Sequence, residues 1–292
     1  RRHTPLTGDA PEEALGPMDG LDGRARALLP DLAVVLQSIG KSTALHLPVL
    51  NFVYWALATV DRDQQDATGL RSACRRIGQE LYCPSGVMGG PGAASALVRS
   101  PEPAVRIVAC LCVLRAQLQV DWLAGALDGL RQDLLDVAGK GIFFRYRGLV
   151  TILPALKAHI KGLVKPATDV LLTVVMDSDF LPGFVQQLNT DEWFAWLAEA
   201  FSPVGGGGPA GVSAQDIRIK EKLSVVFQKL SKFRESRAQF TSSRVPTIIK
   251  DELKKVDSIS QFLALNLRSA LLNLDAASGH DRSPRHPSES PL

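Results

Sequence analysis

An all-α fold is what this sequence predicts, read as an armadillo- or HEAT-like solenoid of stacked helix pairs, with an irregular helical bundle as the alternative. Three observations lead there. Apolar residues recur at helical spacing in about twelve runs, no stretch alternates as a half-buried strand would, and short turn signals separate the runs. With 292 residues and 46% hydrophobic content the chain can bury a continuous core, which excludes disorder throughout.

Residues 1–24 read as linker or disorder, punctuated by Pro5, Pro11, Gly16 and Pro17, and the chain opens on Arg1, so a longer protein is expected. A helical-repeat domain then spans 25–201. Pro30 and Asp31 open a helix that Gly40 closes, and a second runs over 45–60. The nineteen residues 42–60 carry no formal charge, but His46, Pro48 and Asn51 make a buried core helix the better reading than a membrane span. Asp66 or Thr68 caps a third helix ending at Leu81, before a Gly- and Ser-rich loop over 84–92.

Ser100, Pro101, Glu102 and Pro103 form a helix start, and Val105, Val108, Leu111, Cys112 and Leu118 follow near helical spacing, which predicts an amphipathic helix. This segment resembles a HEAT or armadillo helix start. A helix from Asp121 carries Leu123, Leu127, Leu130, Leu134 and Val137 on one stripe, with Gly139 and Gly141 stopping it. Residues 142–163 predict one long helix bent at Pro154, and Pro166 starts another to Met176. Leu181 and Pro182 open a short helix, and Thr190 caps the next, over 191–201, with Asp191 and Glu192 favourable in its first turn.

The Gly-rich run at 202–213 is the strongest internal break, a flexible loop or a subdomain boundary. A C-terminal helical subdomain is expected over 214–275, packed on the first. In it Ile219, Leu223, Val226, Phe227, Leu230 and Phe233 mark a helix of about five turns. Pro246 starts the next, and Ser258 caps a last helix to Leu274. Residues 276–292, rich in Pro, Ser and Arg, read as a disordered tail whose Ser283-Pro284 and Ser290-Pro291 fit phosphorylation.

No catalytic, cofactor-binding or metal-ligating residue emerges. Gly40-Lys41-Ser42 ends like a phosphate loop but has Val35 where the loop needs glycine, and a helix precedes it. Gly205 to Gly208 lack the following lysine, and His46 and His159 stand in no metal-ligand spacing. Asp177 and Asp179 read as a polar loop and cap. Four cysteines, Cys74, Cys83, Cys110 and Cys112, fit no disulfide framework, so a reducing, intracellular compartment is expected, with Cys110 and Cys112 as small buried hydrophobes.

The formal charge of +3 is unevenly spread. Residues 137–168 hold six Lys or Arg and no acid, and 218–255 hold eleven against four acids. The candidate basic surface is Arg145, Arg147, Lys157, Lys161, Lys165, Arg218, Lys222, Lys229 and Lys232. Three readings stay open: solvated faces, a face for an acidic protein, or nucleic acid, the last helped by the interleaved Phe143-Phe144-Arg145-Tyr146-Arg147. Trp193 and Trp196, one helical turn apart, are candidate protein-binding aromatics, with ordinary helix packing as the alternative.

The Leu-rich helix pairs, the aromatic helix 191–201 and the basic helix 218–237 together resemble the C-terminal part of the vertebrate meiosis inhibitor protein 1 family, across 28–274. That resemblance implies an armadillo-like, non-enzymatic protein that supports meiotic DNA double-strand break formation and chromosome pairing, nuclear in preference to cytoplasmic. The expected function is therefore a scaffold binding other proteins, with no membrane partner. Nucleic-acid binding through the basic helices, or a cytoplasmic adaptor, is the alternative.

Overall fold

The computed structural model describes residues 22–39, 42–58, 68–82, 97–116, 120–157, 161–188, 190–201, 214–256 and 260–280. The phosphate-loop candidate at Gly40 and Lys41, Cys83, the Gly-rich run 202–213 and residues 1–21 and 281–292 lie outside them. All fourteen long elements among the described residues are helices. They are α1 (Asp22–Ile39), α2 (Thr43–Ala58), α3 (Thr68–Tyr82), α4 (Pro103–Arg115), α5 (Val120–Asp133), α6 (Val137–Arg145) and α7 (Gly148–Lys157). Then come α8 (Lys161–Val175), α9 (Leu181–Leu188), α10 (Asp191–Phe201), α11 (Ala214–Leu230), α12 (Arg234–Ser242), α13 (Val245–Val256) and α14 (Gln261–His280).

Several boundaries differ from expectation, each for a physical reason. α1 begins at Asp22 and carries Pro30 inside it, so the predicted linker 1–24 gives way to helix earlier. Gly139 and Gly141 do not stop a helix: they lie inside α6, after a turn at 134–136. The expected long helix over 142–163 is cut at Tyr146–Arg147, where Arg147 takes the left-handed conformation with φ 48°, and Pro154 and Pro166 sit inside α7 and α8. A non-glycine residue in that conformation costs about 1–2 kcal/mol. The expected helix through Arg237 breaks at 231–233, where Phe233 becomes the N-cap of α12. Ser260 caps α14, its hydroxyl accepting from Leu263 N at 3.2 Å, while the expected cap Ser258 lies outside the described residues, and α14 extends to His280, into the expected tail. Thr190 caps α10 as expected, accepting from Trp193 N at 3.2 Å.

α4 is the centre of the first half. Val105 and every residue from Ile107 to Leu114 are buried, so the helix is enclosed all round instead of being amphipathic. It packs against α2, α3, α5, α6 and α7. Cys110 and Cys112 are buried free thiols on it, and Cys74 is buried on α3. Burial pushes the Cys110 thiol up to about 12 and that of Cys74 up to about 11.

A buried polar knot ties α2 to the α6–α7 corner. The Tyr54 hydroxyl receives Arg115 Nη2 at 2.8 Å, donates to the Tyr146 carbonyl and meets Thr151 Oγ1 at 3.0 Å, while the Tyr146 hydroxyl donates to Asn51. The two tyrosine rings meet edge-on at 5.3 Å. Replacing Tyr54 with Phe strands these groups in a dry site, and a loss of about 1–3 kcal/mol is expected, read as a lowered melting temperature by circular dichroism.

From α5 onward every third helix packs on the one three before it: α5, α8, α11 and α14 form a row. The first turns of α5 and α8 touch, since a Cβ on Gly162 would lie 3.2 Å from Val120, and the two helices pack along their length, so they run parallel. α11 and α14 are parallel too, joined by four polar rungs in the same order along both. Ser260 donates to Glu221 at 2.6 Å, Asn266 to Ser224 at 3.2 Å, Gln228 to Ser269 at 3.5 Å and Asn273 to Ser231 at 2.9 Å. The remaining helices return the chain between row members: α10 packs on α12 and α13, and α13 on α14. One hydrophobic cluster runs from Leu29 on α1 to Leu274 on α14.

Candidate functional site

The two basic segments, distant in sequence, meet between α8 and α11. Lys222 of α11 bonds the carboxylate of Asp169 on α8, and Lys165, one turn before Asp169 on the same helix, reaches the same group at 3.9 Å. Two of the candidate cations thus converge on one acid, and Lys222 braces the two helices together. Lys220, beside it, binds the buried Glu252 of α13 at 3.0 Å. A buried carboxylate left without its cation is costly, so such pairs lock helices in place more than they add net stability.

The other candidates are spread out. Arg218 and Lys232 are exposed on α11 and just after it, and Lys229 is half-buried. Arg145 and Arg147 are exposed at the α6–α7 corner. The side chains of Lys157 and Lys161 lie outside the described residues. The aromatics between the arginines do not offer faces for stacking on bases: Phe143 and Tyr146 are buried, and Phe144 stacks on Phe180 at 5.4 Å. The turn at Arg147 sends the rings into the core and leaves the guanidinium groups outside.

Asp169 cancels one of the two positive charges that converge on it. Its replacement by Asn frees both lysines, so stronger, salt-sensitive retention on a polyanion resin is expected, together with a lower melting temperature.

Of the two readings of Trp193 and Trp196, the structure bears out ordinary helix packing and not a partly exposed anchor. Trp193 is wholly buried and Trp196 nearly so; their rings stack at 5.0 Å, and Trp196 Nε1 donates to the Leu156 carbonyl of α7 at 2.8 Å. Phe194, between them, meets Phe240 of α12 edge-on at 4.8 Å. The cluster clamps α10 between the two halves of the chain, and its short i, i+3 spacing could be read from sequence but not its burial.

Asp177 caps the turn after α8, accepting from Asp179 N at 3.2 Å, and its other oxygen takes Lys140 Nζ of α6 at 2.7 Å. The Lys140 hydrogen bond holds the Asp177 carboxyl below the ordinary carboxylate range, against the opposing effect of burial. A carboxylate whose pKa is lower folded than unfolded stabilises fully above its unfolded value and loses this as pH falls through the folded one. The melting-temperature gap between the protein and Asp177→Asn is therefore expected to hold near neutrality and close below about pH 4.

Sequence reasoning missed the pairs Lys140–Asp177 and Lys222–Asp169 because their members lie 37 and 53 residues apart. Among the described residues no three His, Cys, Asp or Glu are grouped to hold a metal ion, and no helix is long and apolar enough to cross a membrane.

A family model for the C-terminal domain of coiled-coil domain-containing protein 138 matches residues 6–274. Coiled-coil domain-containing protein 138 of Homo sapiens is 28% identical over 241 residues, covering 79% of this chain and 35% of its own length. The mouse protein of that name, from Mus musculus, is 28% identical over 259 residues, covering 85% and 37%. The Macaca fascicularis protein is 28% identical over 244 residues, covering 80% and 35%. The chain thus spans little more than a third of the length of these relatives. No solved structure matches. These matches overturn the resemblance to meiosis inhibitor protein 1, which rested on Leu-rich helices and a basic helix, features that any large helical domain shares; the meiotic role it implied goes with it. Matched over nearly its whole length, the chain belongs to the family of coiled-coil domain-containing protein 138 C-terminal domains.

Proposed function

We propose that the chain is a non-catalytic helical domain that binds other proteins as part of a larger scaffold. The observation that carries this reading is the use made of charge. Lys140, Lys220, Lys222 and Arg106 each join one helix or turn to another through an acid, on Asp177, Glu252, Asp169 and Asp133 respectively. These four pairs serve architecture, and among the described residues they do not converge as a reacting set would. What stays available is the outer surface of a row of helices, the kind of extended face that stacked helical proteins use to hold partners.

The relatives' name adds a second support. A coiled coil joins chains through helical seams, so a helical domain carried by one is presented to partners in more than one copy. The buried free thiols of Cys74, Cys110 and Cys112 suit an intracellular, reducing compartment. Affinity purification of the tagged chain with mass spectrometry is the test. Reproducible recovery of a small set of proteins is expected; recovery of none from several expressing cell types, or turnover of a substrate by the pure chain, contradicts the reading.

A further inference from the structure

Three arginines stand outside the pattern in which cations are matched to acids. Arg115 ends α4 half-buried, Arg145 and Arg147 are exposed at the α6–α7 corner, and none of them meets a carboxylate among the described residues. α4 and three helices it packs against, α2, α6 and α7, contain no Asp or Glu. The polar knot gathers the arginines. Arg115 Nη2 donates to the Tyr54 hydroxyl at 2.8 Å, with the guanidinium carbon 4.5 Å from that ring's centre, and the same hydroxyl donates to the carbonyl of the peptide joining Tyr146 to Arg147. Burial pushes the Tyr146 phenol up while the charge of Arg145 pulls the other way, which sets that guanidinium toward the same hydroxyl. The Tyr146 hydroxyl donates to Asn51 Oδ1, which leaves Asn51 Nδ2 as a donor without a protein partner among the described residues.

Two features go beyond a solvated turn. Arg115 Nε is buried with no hydrogen-bond partner, so a half-buried guanidinium is held by one ring and one hydroxyl where such a group ordinarily has an acid. Arg147 takes the left-handed conformation with φ 48°, where glycine would turn the chain without strain. Strain kept in place of the easier residue points to a use for the side chain.

We propose that Arg115, Arg145, Arg147 and the Asn51 amide hold a phosphate group carried by a partner protein. A phosphorylated side chain has about two negative charges near neutrality and three strong acceptor oxygens, which suits several planar guanidinium forks at once, whereas one fork satisfies a carboxylate. Clustered arginines are a recurring means of reading phosphorylated segments. Nucleic acid fits less well. Phe143 and Tyr146 are buried, Phe144 lies against Phe180, and Lys165 and Lys222 converge on Asp169, so among the described residues no track of free cations and stacking faces leads away from the corner. A single phosphate on a half-buried guanidinium is screened less than a row of exposed lysines, so partner binding keeps a mild salt dependence.

This deepens the protein-binding reading and rests on it, naming the chemical group by which a partner is recognised. Thermal melts of the full chain in sodium phosphate, against sodium chloride of matched ionic strength, test the site itself. The wild-type melting temperature should rise with phosphate and not with chloride. Arg145→Ala and Arg147→Gly should each weaken the apparent phosphate affinity about ten-fold. In chloride Arg147→Gly should melt no lower than wild type, because the turn is relieved of strain. Arg218→Ala, exposed on α11, should keep the full phosphate response. No phosphate-specific rise, an undiminished rise in the two corner variants, or an equal loss in Arg218→Ala overturns the proposal. Fluorescence anisotropy separates the sources of phosphate. A labelled degenerate peptide pool with a central phosphoserine should bind more tightly than the same pool unphosphorylated, and Arg147→Gly should remove the difference. Equal binding of the two pools, or a preference for duplex DNA or for vesicles containing phosphatidylinositol phosphate, overturns the assignment to a partner protein. A chain that ignores phosphate yet still recovers proteins on affinity purification would separate failure here from failure of the broader reading.

Discussion

Gly139→Ala is expected to destabilise the protein strongly, and Gly141→Ala, one half-turn further along the same helix, to stabilise it slightly. Alanine favours a helix interior over glycine by about 0.5–1 kcal/mol, so propensity alone gives both changes the same sign. Space reverses the first. A Cβ on Gly139 would lie 2.1 Å from the backbone oxygen of Asp133 and 3.0 Å from its carbonyl carbon. That carbonyl closes α5, and its residue is anchored by the Arg106 guanidinium, which bonds both carboxylate oxygens. α6 and the end of α5 must therefore separate, at about 1–3 kcal/mol or more, a fall of several degrees in melting temperature. Gly141 has nothing within 4 Å of its Cβ position, so the propensity gain survives there. Thermal melts of the two variants check this. Equal shifts of the same sign would show that α6 does not sit on the end of α5.

Trp193→Ala is expected to cost about 3–5 kcal/mol, as do other losses of a fully buried large aromatic. The ring fills the space between α10 and the helices around it, and its loss also removes the stack on Trp196. Trp193→Phe should cost far less, because Trp193 Nε1 has no hydrogen-bond partner among the described residues. Trp196→Phe instead strands the Leu156 carbonyl, at about 1–3 kcal/mol. Denaturant unfolding followed by tryptophan fluorescence ranks the three. If Trp193→Ala left the unfolding midpoint unchanged and removed a bound partner, the pair would be a surface anchor and not part of the core.

The parts of this fold legible in the sequence are those set within one turn of helix. Thr190 before two acids marks α10 because a cap needs only its neighbours, and Pro103 marks α4 for the same reason. Breaks that leave the apolar spacing intact are hidden. Leu230 and Phe233 keep the helical rhythm across the α11–α12 turn, and the corner after α6 uses an arginine where glycine would have signalled it. The charges misled for a different reason. Lys222 reads as surface because the Asp169 it meets lies on another helix, and no local pattern around Lys222 announces a carboxylate that the packing of α8 on α11 supplies.

Binding of a recovered protein partner, measured by isothermal titration calorimetry at low and high salt on the wild-type chain, tests the protein-binding reading most directly. A partner held by the helix faces should bind with an affinity that changes little with salt, since the lysines near Asp169 and Glu252 are already paired. An affinity that collapses as salt rises, matched by binding of duplex DNA of arbitrary sequence, would contradict it and return the basic helices to the centre of the function.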